Sequence, residues 1–188
     1  MSSYSFEQEL KNILSQYRNS FSEKSYNEEN NEHDLLMNVF GITPSLKREN
    51  RQYWGRELGM CWQHLVCELF RNTCKDYKPA TRIGNDEPCD CQIGNDVIDT
   101  KYRIGSGDSG TLKKFKQYGK IFTDQGLRPI LLIIREDNLP SAMVACKVGG
   151  WIVLTGDQTF QYIYKKSEFD LKSWFLKIAS TNEFKVNR

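Results

Sequence analysis

The chain has 188 residues, 39% of them hydrophobic and 27% charged, with a net charge of +2. That length suits one domain with room for an extension and is enough to bury a core, while four Trp, nine Tyr and ten Phe exclude a disordered chain. No apolar run reaches the roughly 18 residues that span a bilayer, and the acidic opening MSSYSFEQEL lacks the apolar stretch of an export signal; a soluble intracellular protein is expected.

SYSFEQELKNILSQYRNSF reads as an amphipathic helix, with Phe6, Leu10, Ile13, Leu14 and Tyr17 on one side. SEKSYNEENNEH is polar and reads as a loop or the start of a helix, and DLLMNVFGI as a short helix ended by Gly41 and Pro44. Residues 1–50 are assigned to an N-terminal helical extension and 51–188 to the main domain. The main domain opens on a long helical pattern, RENRQYWGRELGMCWQHLVCELFRNTC, whose apolar face carries Leu58, Cys61, Trp62, Leu65, Leu69 and Phe70.

The period then changes. YKPATRIG, PCDCQIG and DVIDTKYRI alternate and are parted by the turn residues NDE and GND, which predicts an antiparallel meander. SGTLKKFKQYGKIFTDQG returns to helix, with Ser109 or Thr111 as N-cap and Gly126 at its end. RPILLIIRE is almost uniformly apolar and reads as a buried central strand. MVACKVGG reads as a tight turn before a further strand, WIVLTG, and DLKSWFLKIAS closes the chain as a helix. Trp54, Trp62, Trp151 and Trp174 sit in apolar-periodic contexts, as core or contact residues. The fold class expected is α/β, a mixed sheet of about five strands flanked by helices.

Six cysteines are present, but Cys89 and Cys91 lack the CxxC spacing and His33 and His64 are the only histidines. A zinc site needs about four convergent ligands, so reduced thiols are expected. Charge is uneven: residues 1–50 hold five Lys/Arg against eight Asp/Glu, whereas residues 101–120 hold six against one, Asp108. A local excess of that size suits a polyanion.

Gly105-x-Gly107-x-x-Gly110 spells a dinucleotide-binding fingerprint, which requires an apolar strand before it and an acid some 20 residues on. Asp99, Lys101 and Arg103 interrupt the preceding strand, and the next strand does not open on an acid. The glycines therefore read as a flexible loop, able to lie against a phosphodiester backbone.

The chemistry lies just upstream. Residues two apart on a strand share a face, so Asp99 and Lys101 point one way and Thr100 the other. A hairpin turning near Gly94-Asn95 brings Asp90 to Asp99. Two carboxylates so placed repel unless a cation lies between them, and Mg²⁺ takes carboxylate oxygens while keeping several waters. A bound metal activates water and stabilises charge on a phosphate, and Lys101 can orient that water or neutralise the developing charge.

Pro88-x-Asp90 followed by Asp99-x-Lys101 resembles the signature of the PD-(D/E)xK nucleases. Cys89 splits the first pair, and Asp86 or Asp96 is an alternative first carboxylate, although Asp96 stands too close to Asp99 for a neighbouring strand. Gly55 and Glu57 resemble the helix glutamate that many members carry ahead of the meander. The resemblance spans roughly Tyr53 to Thr155. It implies a restriction-endonuclease-like core with Asp90 and Asp99 holding Mg²⁺, Lys101 activating water and Glu57 assisting. It further implies a type II restriction endonuclease, a homodimer in the cytoplasm of a prokaryotic cell that cuts double-stranded DNA at a short specific site. A structure-selective or non-specific nuclease of the same fold, of resolvase or repair type, and a catalytically inactive DNA-binding module are the alternatives.

On a helical wheel Leu112, Phe115, Tyr118, Gly119 and Phe122 gather on one side, and Lys113, Lys116, Gln117 and Lys120 on the other. The lysine face, one loop from Lys101, is expected to meet flanking phosphates, and Arg103, on the face of Asp99 and Lys101, the scissile strand. GSGDSG and Asp137 to Gly150 are candidate recognition loops.

Overall fold

The computed structural model describes residue 18 and residues 34–80, 82–105 and 107–186. The chain divides into a unit Met1–Asn31 and a unit Glu32–Arg188. The expected first helix, with Phe6, Leu10, Ile13, Leu14 and Tyr17, lies outside the described residues, as does His33. The elements of the second unit are α1 (Leu35–Phe40), α2 (Pro44–Glu49), α3 (Arg51–Thr73), β1 (Tyr77–Pro79), β2 (Cys91–Ile93), β3 (Asp96–Lys101), α4 (Ser109–Asp124), β4 (Arg128–Ile133), α5 (Pro140–Val148), β5 (Ile152–Thr155), α6 (Asp157–Ser167) and α7 (Leu171–Thr181).

The protein is an α/β fold built on a mixed five-stranded sheet of order β1-β2-β3-β4-β5. The first three strands form the expected antiparallel meander, and β3, β4 and β5 run parallel to one another. Parallel neighbours need a crossover, and α4 and α5 supply the two.

Strand alternation divides the core. Ile98, Tyr102, Ile130 and Leu132 turn to one sheet face, where Leu58, Trp62, Val66 and Phe70 of α3 join α1, α6 and α7. Val97, Leu131 and Ile133 turn to the other, against Phe115 and Phe122 of α4, Ala142 and Cys146 of α5, and Trp151. With a layer on each side, β4 is apolar almost throughout, as its sequence predicts. Leu36, Met37, Val39 and Ile42 are buried in the first cluster, so residues 34–50, read in sequence as part of the extension, pack within the sheet-bearing unit.

Two helices escape the sequence pattern. Residues 140–148, expected as loop and turn, form α5, which starts with Pro140 in its first turn and stops at Gly149. Residues 157–167 form α6, with Asp157 in the first turn and Lys165 and Lys166 in the last, as the helix dipole favours. Neither Ser109 nor Thr111 caps α4; Asp108 does, accepting from the Thr111 amide at 2.9 Å, because a carboxylate with extended backbone can reach that free N–H.

α3 runs antiparallel to β3. Gly59 faces Tyr102 just past the end of β3, where an added methyl would touch it at 3.7 Å. Further along, the Cys67 thiol donates to the Asp90 carbonyl at 3.8 Å and the Cys74 thiol to the Lys166 carbonyl at 3.4 Å. Lys166 is in turn paired with Asp96 at the start of β3. The carboxyl end of β3 is held by a buried polar cluster. Arg135 binds Asp34 and Asp137 at 3.0 and 2.7 Å, and Tyr102 donates to Asp34.

Candidate active site

The hairpin of β2 and β3 turns at Gly94-Asn95, where Gly94 has φ of 56°, a left-handed conformation that favours glycine. Its register pairs Cys91 with Ile98, and the Asp90 amide donates to the Ile98 carbonyl at 2.8 Å. One further step along that register sets Asp90 opposite Asp99. Asp90 is therefore not within β2, as expected, but in the bend just before it. One of its carboxylate oxygens accepts from both the amide and the hydroxyl of Thr100, each at 2.6 Å.

Asp99 follows Val97 on the face covered by α4 and α5, and its side chain is only 10% exposed. The Lys101 ammonium binds Asp99 Oδ1 at 2.7 Å and the Thr100 carbonyl at 3.1 Å. Burial is the main force that pushes the Asp99 carboxyl up, to about 6; Lys101 opposes it, while the neighbouring Asp90 carboxylate adds to it. Burial works to lower the Lys101 ammonium, but Asp99 and then Asp90 outweigh it and hold it above the ordinary lysine value. The structure thus brings Asp90, Asp99 and Lys101 together at the carboxyl end of a parallel strand, where open α/β sheets place their ligands.

This donor set suits a hard divalent cation. Two carboxylates press on one another, and a cation, the Lys101 ammonium, already sits on one of them and on a backbone carbonyl. Among the described residues no group of three or more His, Cys, Asp or Glu side chains gathers as metal ligands. An ion held by Asp90 and Asp99 would therefore complete its shell from water and substrate, as Mg²⁺ commonly does.

Asp99 and Lys101 open into a cleft of about 220 Å³, whose walls include Asp86, Thr111, Lys114, Phe115, Tyr118 and Trp151. Asp86, the alternative first carboxylate, lines this cleft but is engaged by Tyr118 and Lys114 of α4. Asp96, the other alternative, lies at the opposite end of β3, bound by Arg128 and Lys166. Glu57 is not brought to the cleft: α3 covers the other sheet face, and Glu57 pairs with Arg56 at 2.9 Å.

Arg103 is not aligned with Asp99 and Lys101 on a continuing strand. β3 ends at Lys101, and the Arg103 Nε donates to the Asp137 carbonyl at 2.8 Å and to its carboxylate at 3.0 Å. Lys113, Lys116 and Lys120 are exposed along α4 as the wheel predicts, with Lys120 paired to Asp124. Of the α4 lysines, the one that lines the cleft is Lys114, which the wheel leaves out of the basic face; its spacing of four from Tyr118 was the signal for it.

All six cysteines are free thiols. Among the described residues no helix is long and apolar enough to cross a membrane. The chain matches no protein-family model, and neither a curated protein nor a solved structure matches it.

Proposed function

We propose that the protein is a Mg²⁺-dependent endonuclease that hydrolyses phosphodiester bonds in double-stranded DNA at a short specific site, in the manner of a type II restriction enzyme. The observation that carries this reading is the Lys101 ammonium 2.7 Å from Asp99 in a cleft, with the Asp90 carboxylate, which lies outside the lining of that cleft, close enough to bear on both. The order of helix, three-stranded meander, helix and parallel strand, from α3 to β4, agrees with the core that the PD-(D/E)xK resemblance implies. The lysines exposed along α4 give a duplex a cationic flank.

In the reaction a water oxygen adds to phosphorus, one P–O ester bond breaks, and the departing oxygen gains a proton. Asp90 and Asp99 would hold the cation, which when bound would supply Lewis-acid stabilisation of the phosphate and make a nearby water more acidic. Lys101 stands beside Asp99 to orient the attacking water and to offset charge on the phosphate. Thr100 fixes Asp90 through its amide and hydroxyl, so the first carboxylate is set by the strand that carries the second. On this reading the enzyme works as a homodimer, one centre for each strand.

Plasmid DNA incubated with the protein and Mg²⁺ tests the proposal. Discrete fragments are expected, together with a loss of rate of about 100-fold or more in Lys101→Ala and Asp99→Ala, the scale for removing one preorganised charge. A smear would make the enzyme a nuclease without site specificity. Wild type no more active than Lys101→Ala would remove the nuclease reading, and undiminished cutting by Asp99→Ala would remove the site assignment.

A further inference from the structure

The cleft that holds Asp99 and Lys101 has a second charged wall. Lys114 and Tyr118 stand one turn apart on α4, on the same helix face, and both bind one carboxylate. The Lys114 ammonium lies 3.3 Å from Asp86 Oδ1 and 3.2 Å from Oδ2, and the Tyr118 hydroxyl donates to Oδ2. An ammonium and a phenol that converge on two oxygens of one singly charged group form an oxyanion site. A phosphodiester presents the same ligand, two unsubstituted oxygens sharing one negative charge.

Asp86 is presented by the loop between β1 and β2, not by the sheet. Ile83 and Asp86 close a tight turn through their own backbone, with hydrogen bonds of 2.9 and 3.2 Å. Their neighbours Arg82 and Glu87 pair with each other. The Asp86 side chain is 43% exposed and that of Lys114 61%, so the carboxylate can leave without breaking a strand pair. The Tyr118 hydrogen bond first, then Lys114, holds the Asp86 carboxyl below the usual carboxylate range, as expected where an anion is preferred. With Asp86 in place, each lysine that lines the cleft faces a carboxylate of the chain itself: Lys101 faces Asp99 and Lys114 faces Asp86.

We propose that Lys114 and Tyr118 form a subsite for a backbone phosphodiester beside the Asp99–Lys101 centre, and that Asp86 fills this subsite until nucleic acid displaces it. The proposal rests on the nuclease reading. In the free protein Asp86 competes with DNA for Lys114; in the complex Lys114 and Tyr118 grip a phosphate and Asp86 moves to solvent.

Duplex binding, measured by fluorescence anisotropy in Ca²⁺ across a salt series, tests this apart from cleavage. Lys114→Met is expected to reduce the slope of log K against log salt by about 0.9, one phosphate contact, and Lys114→Arg to keep it. Asp86→Asn is expected to bind several-fold more tightly than wild type, and the gain to vanish when Lys114→Met is added. Asp86→Asn that binds no more tightly, or Lys114→Met with an unchanged slope, overturns the subsite even if the wild type cuts DNA. A wild type that binds no duplex overturns both the subsite and the nuclease reading. Melting temperatures of the variants, at exposed positions, are expected to match the wild type and confirm folding.

Discussion

At Asp90 two demands meet in one side chain. One oxygen is committed to Thr100, accepting from its amide and hydroxyl at 2.6 Å each. The charge, shared over both oxygens, bears on Asp99 and Lys101. Substitution separates the two. Asp90→Asn keeps an oxygen for Thr100 and loses the charge, so its unfolding midpoint in urea is expected to stay near the wild type while cleavage falls about 100-fold. Asp90→Ala loses both and is expected to be less stable as well, by about 1–3 kcal/mol for the unsatisfied Thr100 groups. Equal activity of Asp90→Asn and wild type would show that Asp90 does not hold the ion. The pairing of Asp90 with Asp99 was legible in the sequence because two-residue strand periodicity and a Gly94-Asn95 turn suffice to set it. The disposition of Glu57 and Arg103 was not, because it depends on which sheet face α3 covers and on Asp137, a distant partner that no local pattern names.

At the scale of elements, the crossing of α4 and α5 sets the shape of the cleft. A methyl at Gly119 would lie 2.2 Å from the Gly149 carbonyl and 2.6 Å from the Trp151 ring, and one at Gly149 would lie 2.6 Å from the Phe115 carbonyl. The Trp151 indole N–H donates to that same Phe115 carbonyl at 2.8 Å. Alanine in place of a helical glycine ordinarily gains about 1 kcal/mol in propensity. Here the clash is with backbone, and overpacking costs about 1–3 kcal/mol or more, so Gly119→Ala is expected to be less stable than the wild type on chemical denaturation. A variant as stable as the wild type would mean that α4 and α5 can slide apart. Strong periodicity makes α3, α4 and the three-stranded meander readable from sequence. α5 is short, and its double glycine imitates a turn; Pro140 at its start and Gly149 after its end are the marks that identify it. α6 breaks its apolar stripe with tyrosines and lysines, so only its terminal charges announce it.

For the molecule as a whole, two phenols drawn into the core, Tyr102 buried and Tyr162 partly buried, bear on stability at alkaline pH. Burial first, then Asp34 and Asp96 respectively, holds Tyr102 and Tyr162 well above the ordinary tyrosine value of 10.0. Above pH 10 unfolded tyrosines release protons that the folded ones retain, so the folded state binds more protons and loses stability as pH rises. Spectrophotometric titration is expected to show Tyr102 and Tyr162 ionising only as the chain unfolds, and Tyr162→Phe to weaken that alkaline loss. Ionisation of both with the fold intact would contradict it. Both phenols clamp the strand that carries Asp99, Tyr162 through Asp96 at its start and Tyr102 just beyond its end.

Trp151 gives the cleft a place in time as well as in space. Asp90, Asp99, Lys101, Lys114 and Tyr118 occupy one short continuous stretch of chain, yet one wall of the cleft comes from Trp151, after both crossovers. A ribosome therefore makes every charged group of the centre well before it makes the residue that encloses them. Until Trp151 has emerged and bound the Phe115 carbonyl, α4 packs on the sheet and α5 without it, and the cleft around Lys101 lacks one wall. On the nuclease reading proposed above, the groups of the centre are thus made before the wall that completes their cleft.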